Sequence, residues 1–147
     1  MMRRPGQKRR YVLLLAVALP LLAASCSGDN PTLSRAEFVE RANSLCAETN
    51  EKTGRIVGKV LGAPDSDPND LQRALDHLIG ASRGLHSELA ALRPPRRLTH
   101  EVRDMLAALA AANAAAEAQG PDFWESEDDP WAAMKAKAAE LGLDACS

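Results

Sequence analysis

Residues 71–92 read LQRALDHLIGASRGLHSELAAL. Within them Leu71, Leu75, Leu78, Ser82, Leu85, Leu89 and Leu92 recur in alternating steps of four and three. That spacing is a heptad seam, and it lines one side of an α-helix. Ser82 is the seam's one polar break. The flanks agree. Asp67-Pro68 offers a capping carboxylate, then a proline at the first helical position, where its missing amide costs nothing. Pro94-Pro95 stops the helix.

An apolar seam has to be covered, and the neighbouring segments supply the covers. Upstream, Ser34 and Glu37 have capping-box spacing, with Leu33 and Phe38 at the staple positions around the cap. The stripe runs on through Ala42, Leu45, Cys46, Ile56, Val60 and Leu61, and Gly62 and Pro64 end it. Gly54 and Gly58 each weaken its second half by roughly 1 kcal/mol relative to alanine. Downstream, a third helix is predicted from Arg96 to Gln119. Leu98, Val102, Met105, Leu109, Ala112 and Ala116 repeat the four-three pattern there. Its alanine-rich second half lets a neighbouring backbone come close. A fourth, shorter helix is predicted from Asp129-Pro130 to Leu141, with Trp131, Met134, Ala138 and Leu141 as a weak seam. Gly142 and Leu143 fit a left-handed cap with its apolar contact.

Aromatics make up only 3% of the chain, and β-branched residues are few. Alanine, the best helix former, is abundant. The expected fold is all-α: an antiparallel bundle of three long helices plus a short C-terminal helix, over residues 34–147. Short connections between long helices favour the up-down order.

The residues before the bundle have a different character. Arg3, Arg4, Lys8, Arg9 and Arg10 form a basic head without an acid. An apolar run of 14 residues follows, from Tyr11 to Ala24, then Ser25 and Cys26. Basic head, short apolar middle and small-residue end are the parts of an export signal. A spanning helix needs about 20 apolar residues, and Pro20 interrupts this run.

The stretch Leu22-Ala23-Ala24-Ser25-Cys26 resembles a bacterial lipobox, in which small residues precede a cysteine that takes up diacylglycerol. Ala24 and Ser25 fit that pattern; Ala23 stands where it prefers leucine, and Leu22 is one place early. The resemblance implies a lipoprotein signal peptide over 1–25, lipidation at Cys26 and a tether over 26–33. The alternative is ordinary cleavage near Ala24 or Ser25 and a secreted protein. Two or more acyl chains, at ~0.8 kcal/mol per buried methylene, give lasting anchorage.

Cysteine parity points the same way. Three cysteines are present, and an odd thiol in an exported chain calls for an explanation. Acylating Cys26 leaves Cys46 and Cys146 as a pair. Cleavage before Cys26 also changes the charge. The mature 122 residues keep thirteen Lys and Arg against twenty acids, a net of −7 rather than −2. That balance argues against nucleic acid as a partner.

The stretches Leu33-Ser34-Arg35-Ala36-Glu37-Phe38, Ala42-Asn43-Ser44-Leu45-Cys46-Ala47-Glu48 and Leu141-Gly142-Leu143-Asp144-Ala145-Cys146 are similar to small exported helical proteins of high-GC Gram-positive bacteria, often lipoproteins. The similarity covers the two ends of the mature domain and implies the same Cys46–Cys146 pairing. It implies no activity.

Catalytic and metal patterns are lacking. A di-iron bundle needs Glu-x-x-His on two helices. Ala74, Arg83 and Arg97 stand three before His77, His86 and His100. No nucleophile elbow and no phosphate-cradling glycine loop occurs. No metal site, cofactor or catalytic residue is expected.

Two segments stand out as surfaces. Residues 122–131 gather Phe123, Trp124 and Trp131 beside five acids. They fill the gap between helices three and four, or they meet a partner, since tryptophans anchor interfaces. Arg93, Arg96 and Arg97 crowd the turn between helices two and three. That turn is either simply solvated or faces the membrane. Cys26 to Ser34 is eight steps, at most about 27–29 Å. An up-down bundle returns the basic turn to the tethered end and sends the acidic loop away. The expected function is a non-catalytic binding or interaction module, lipid-anchored at the outer face of the cytoplasmic membrane, whose partner is an envelope protein or wall component. The alternative is a carrier of a small apolar ligand, with a pocket between helices lined by leucine, methionine and tryptophan.

Overall fold

The computed structural model describes residues 32–63 and 67–147. The signal segment, Cys26 and Pro64 lie outside them. All regular structure among the described residues is helical. There are four α-helices: α1 (Arg35–Leu61), α2 (Pro68–Ala91), α3 (Thr99–Gln119) and α4 (Ala132–Leu141). Short 3-10 turns occupy Arg96–Leu98, Gly120–Glu125 and Asp144–Cys146.

The helix starts follow from local chemistry. At α1 the capping box closes in both directions: Glu37 N donates to Ser34 Oγ at 3.2 Å, and Ser34 N donates to Glu37 Oε2 at 2.9 Å. Leu33 packs against the core that holds the fully buried Phe38. At α2, Asp67 Oδ1 accepts from Asp70 N at 2.9 Å, with Pro68 at the first position. Two starts differ from the sequence reading. The predicted third helix begins as a 3-10 turn, and its α-helical part starts at Thr99. Asp129 turns the chain by accepting from Trp131 N at 2.9 Å, so α4 starts only at Ala132.

The helices pack in chain order: α1 on α2, α2 on α3, α3 on α4. The C-terminal 3-10 turn then lies back on α1. The result is a helical bundle, closed by a disulfide between Cys46 and Cys146, which are 100 residues apart in sequence and 5.2 Å apart at Cα. The turn after α4 makes that return possible. Gly142 has a left-handed φ of 79°. Its N–H donates to Ala139 O at 3.0 Å, and Leu143 N donates to Ala138 O at 2.9 Å. This is the Schellman pair of bonds, with Leu143 buried beneath it.

The main core joins Phe38, Cys46, Leu89, Met105, Leu109 and Leu143, among others. A smaller cluster of Leu75, Ile79 and Ala116 is covered by Phe123, Trp124 and Trp131. The seams of α2 and α3 face inward as their spacing requires. The second half of α1 does not. Ile56 is 40% exposed and Leu61 51% exposed, while the buried stripe of this helix runs from Phe38 through Ala42 and Cys46 and ends at Thr53. The cause lies in what α1 has beside it. Its neighbours are α2 and the C-terminal turn, and that turn meets it near Cys46. The last turns of α1 therefore have α2 on one side only.

Candidate functional site

α1 brings Thr49, Asn50 and Thr53 to one side of a cavity of about 250 Å³. Leu78 and Leu85 of α2, Leu109 of α3, and Trp131 and Met134 at α4 form its apolar wall. Ser82 enters from α2 at the seam's polar break, and the Cys46–Cys146 bridge closes one edge through Cys146. Thus the four helices and the C-terminal turn all contribute.

Most polar groups around the cavity are already engaged. The Trp131 indole N–H donates to Asn113 Oδ1 at 3.2 Å. Asn50 Nδ2 donates to Ala145 O at 2.8 Å. Lys135 Nζ pairs with Asp129 Oδ2 at 2.7 Å. That ammonium is the main reason the Asp129 carboxyl is held below the ordinary carboxylate range; partial burial opposes the effect, and the Trp131 N–H adds to it. Thr53 differs. Its residue is 8% exposed, and its Oγ1 is buried without a hydrogen-bond partner. A helical threonine ordinarily bonds back to the carbonyl one turn earlier. Thr53 does not.

The side chains lining the cavity among the described residues include no carboxylate, imidazole or free thiol. Its one cation is neutralised by Asp129. Such a lining suits an apolar molecule with few polar groups. Elsewhere, His100 makes only a surface pair with Asp104 at 3.1 Å. No three metal-ligating side chains gather among the described residues.

The aromatic loop is built into the bundle. Trp124 Nε1 donates to Leu71 O at 3.0 Å, at the start of α2. Phe123 sits edge-on to both tryptophans, with ring centroids 4.9 and 5.8 Å away. All three rings are half-buried, while Asp122, Glu125, Glu127 and Asp128 are exposed. Arg93, Arg96 and Arg97 are exposed at the other end of α2. The Arg93 carbonyl accepts from Leu33 N at 2.8 Å. At 1.5 Å per residue, α2 separates the two loops by about 36 Å.

The sequence pattern brought Leu78, Leu85, Leu109, Trp131 and Met134 to the cavity, but not Thr53 or Asn50, and it missed Asn113, which holds the Trp131 indole. A signal for Thr53 existed: it stands seven residues after Cys46, on the same side of α1. Among the described residues, no helix is long and apolar enough to cross a membrane. Compared with known protein families, with curated proteins and with solved structures, the chain finds no match in any of the three.

Proposed function

We propose that this chain is an exported lipoprotein, similar to the small helical ones of high-GC Gram-positive bacteria, anchored through Cys26 at the outer face of the cytoplasmic membrane. It acts there as a non-catalytic interaction module. Its three long helices run up-down, with the short fourth helix closing them. The basic turn faces the bilayer, and the acidic aromatic loop faces away, toward an envelope protein or wall component.

The observation that carries this reading is the 2.8 Å hydrogen bond from Leu33 N to Arg93 O. It ties the end of the tether to the basic turn. From Cys26 to Leu33 is seven steps, at most about 23–25 Å. The Arg93 backbone is therefore held within about that reach of Cys26, and Arg96 and Arg97 follow it in the next turn of chain. Each is worth ~1 kcal/mol at an anionic surface. Since the mature chain's net charge is −7, attraction to such a surface needs a local basic patch. The aromatic loop, about 36 Å off along α2, offers a partner its acids and the outer edges of its rings.

The test uses the domain from Ser27 onward, without lipid, and vesicles containing anionic lipid. The wild-type domain binds them at least about tenfold more tightly than the Arg93→Gln, Arg96→Gln, Arg97→Gln triple variant, and salt abolishes the difference. Equal binding by the two proteins sinks the orientation. Intact mass of the protein from its own cells tests the anchor separately, because cleavage before Cys26 removes residues 1–25 and the lipid adds the mass of a glycerol and its acyl chains.

A further inference from the structure

We propose that the cavity among the four helices is a binding site for a small neutral molecule, with an apolar body and one hydroxyl or carbonyl group that hydrogen-bonds Thr53 Oγ1. This goes beyond anchorage and does not depend on it.

Three observations carry the assignment. First, size: about 250 Å³ lies just below the roughly 300–1,000 Å³ of pockets for drug-sized ligands. The occupant is then on the scale of one substituted ring. Second, the wall. Leu78, Leu85, Leu109, Trp131 and Met134 present branched, aromatic and thioether surface, and methionine adapts its shape to what it touches. Third, the polar capacity left over. The Trp131 indole, Asn50 and Lys135 are spent on Asn113, Ala145 and Asp129. Thr53 Oγ1 is buried and unspent.

An unsatisfied buried hydroxyl destabilises a fold by about 1–3 kcal/mol, so its retention calls for an explanation. A ligand oxygen at that point removes the penalty. Because Lys135 is already paired, no unpaired side-chain charge in the lining awaits an ionic head, and the ligand is neutral. The helical threonine has two accessible χ1 wells, so its hydroxyl can turn to meet a donor or an acceptor.

A matched pair of probes tests this: p-cresol and toluene, which share a ring and a methyl group and differ by one hydroxyl. Each is titrated to millimolar concentration into the full chain with its disulfide intact. Binding is followed by NMR at the Trp131 indole N–H and the Thr53 amide. Both signals move with p-cresol, and toluene binds about tenfold more weakly, the share of one ordinary hydrogen bond. In Thr53→Val the two probes bind alike, toluene as in the wild type, and the protein is no less stable. Three results overturn the proposal: neither probe moves these signals, p-cresol moves only surface signals such as those around Ile56, or its preference over toluene survives in Thr53→Val. Should Thr53→Val fail to fold, the cresol–toluene comparison on the wild-type chain decides alone, and equal affinities reject the hydrogen bond.

Discussion

Asn43 grips the backbone on either side of Asp144: its Oδ1 accepts from Ala145 N at 2.9 Å, and its Nδ2 donates to Gly142 O at 3.4 Å. The two ends of this pair are 102 residues apart in sequence. The disulfide from Cys46 lies one helical turn further along α1. The C-terminal turn is thus held twice on one face of one helix, once by a side-chain amide and once by a covalent bond.

Removing the amide leaves a backbone donor and a backbone acceptor without their partner in a half-buried place. Asn43→Ala should destabilise the folded protein by about 1–3 kcal/mol. Urea denaturation with the disulfide intact measures it. A midpoint unchanged from wild type means that water replaces the amide at no loss.

The disulfide closes a loop of 100 residues. The chain-entropy account values such a closure at ~4.7 kcal/mol, against a typical total of ~5–15 kcal/mol for a domain. The core it supports is lean, since alanine supplies much of α3 and α4 and aromatics are scarce. Reduction, or Cys46→Ser with Cys146→Ser, should therefore lower the melting temperature by more than about 10 °C. Calorimetry with and without reductant reads this directly. An identical melt, or an intact mass with two free thiols in the native protein, rejects it.

The two tryptophans should behave differently from surface residues. Trp131 serves the buried Asn113, which is 3% exposed. Trp131→Phe keeps most of the ring but strands the Asn113 amide oxygen, at a cost of about 1–3 kcal/mol. Trp124→Phe removes a second bond from the Leu71 carbonyl, which keeps its helical bond from Leu75 N, and should cost less. Thermal melts of the two variants give the order. If Trp124→Phe is the more damaging, the loop docks on α2 more firmly than on α3.

What was legible in the sequence is the part that acts over a few residues. Ser34 with Glu37, Asp67 with Pro68, and Gly142 with Leu143 each carry their partners within reach, so their spacing reveals them. The seams of α2 and α3 were readable because both helices have neighbours on two sides. Ile56 and Leu61 misled, since periodicity tells which residues share a face but not whether anything covers that face. Asp129 misled for a related reason. It looked like a cap, and its carboxylate does take a backbone N–H, but its other oxygen goes to Lys135 and the first turn stays outside α4. Asn43, Asn113 and Thr53 were invisible as a group. Each is a polar residue in a helix, and its role depends on a partner, or on the lack of one, far along the chain.

The Asp129–Lys135 pair makes stability depend on pH in a definite direction. Lys135 first, then the Trp131 N–H, hold the folded carboxyl below its ordinary value against the opposing effect of partial burial. The pair's contribution is thus complete above the unfolded value, near pH 4, and fades as pH falls through the lower folded value. Asp129 is 42% exposed in its side chain and Lys135 48%, so solvent screening limits the effect to less than about 1 kcal/mol. Asp129→Asn should lower the urea midpoint at pH 6, and the gap to wild type should narrow toward pH 3. A gap that stays constant or widens in acid rejects the charge as its cause, because asparagine keeps a side-chain oxygen that accepts from Trp131 N. The same measurement on Lys135→Met checks the pair from its other side: that variant keeps the carboxylate and its turn bond, loses the ammonium, and should show the same narrowing toward acid.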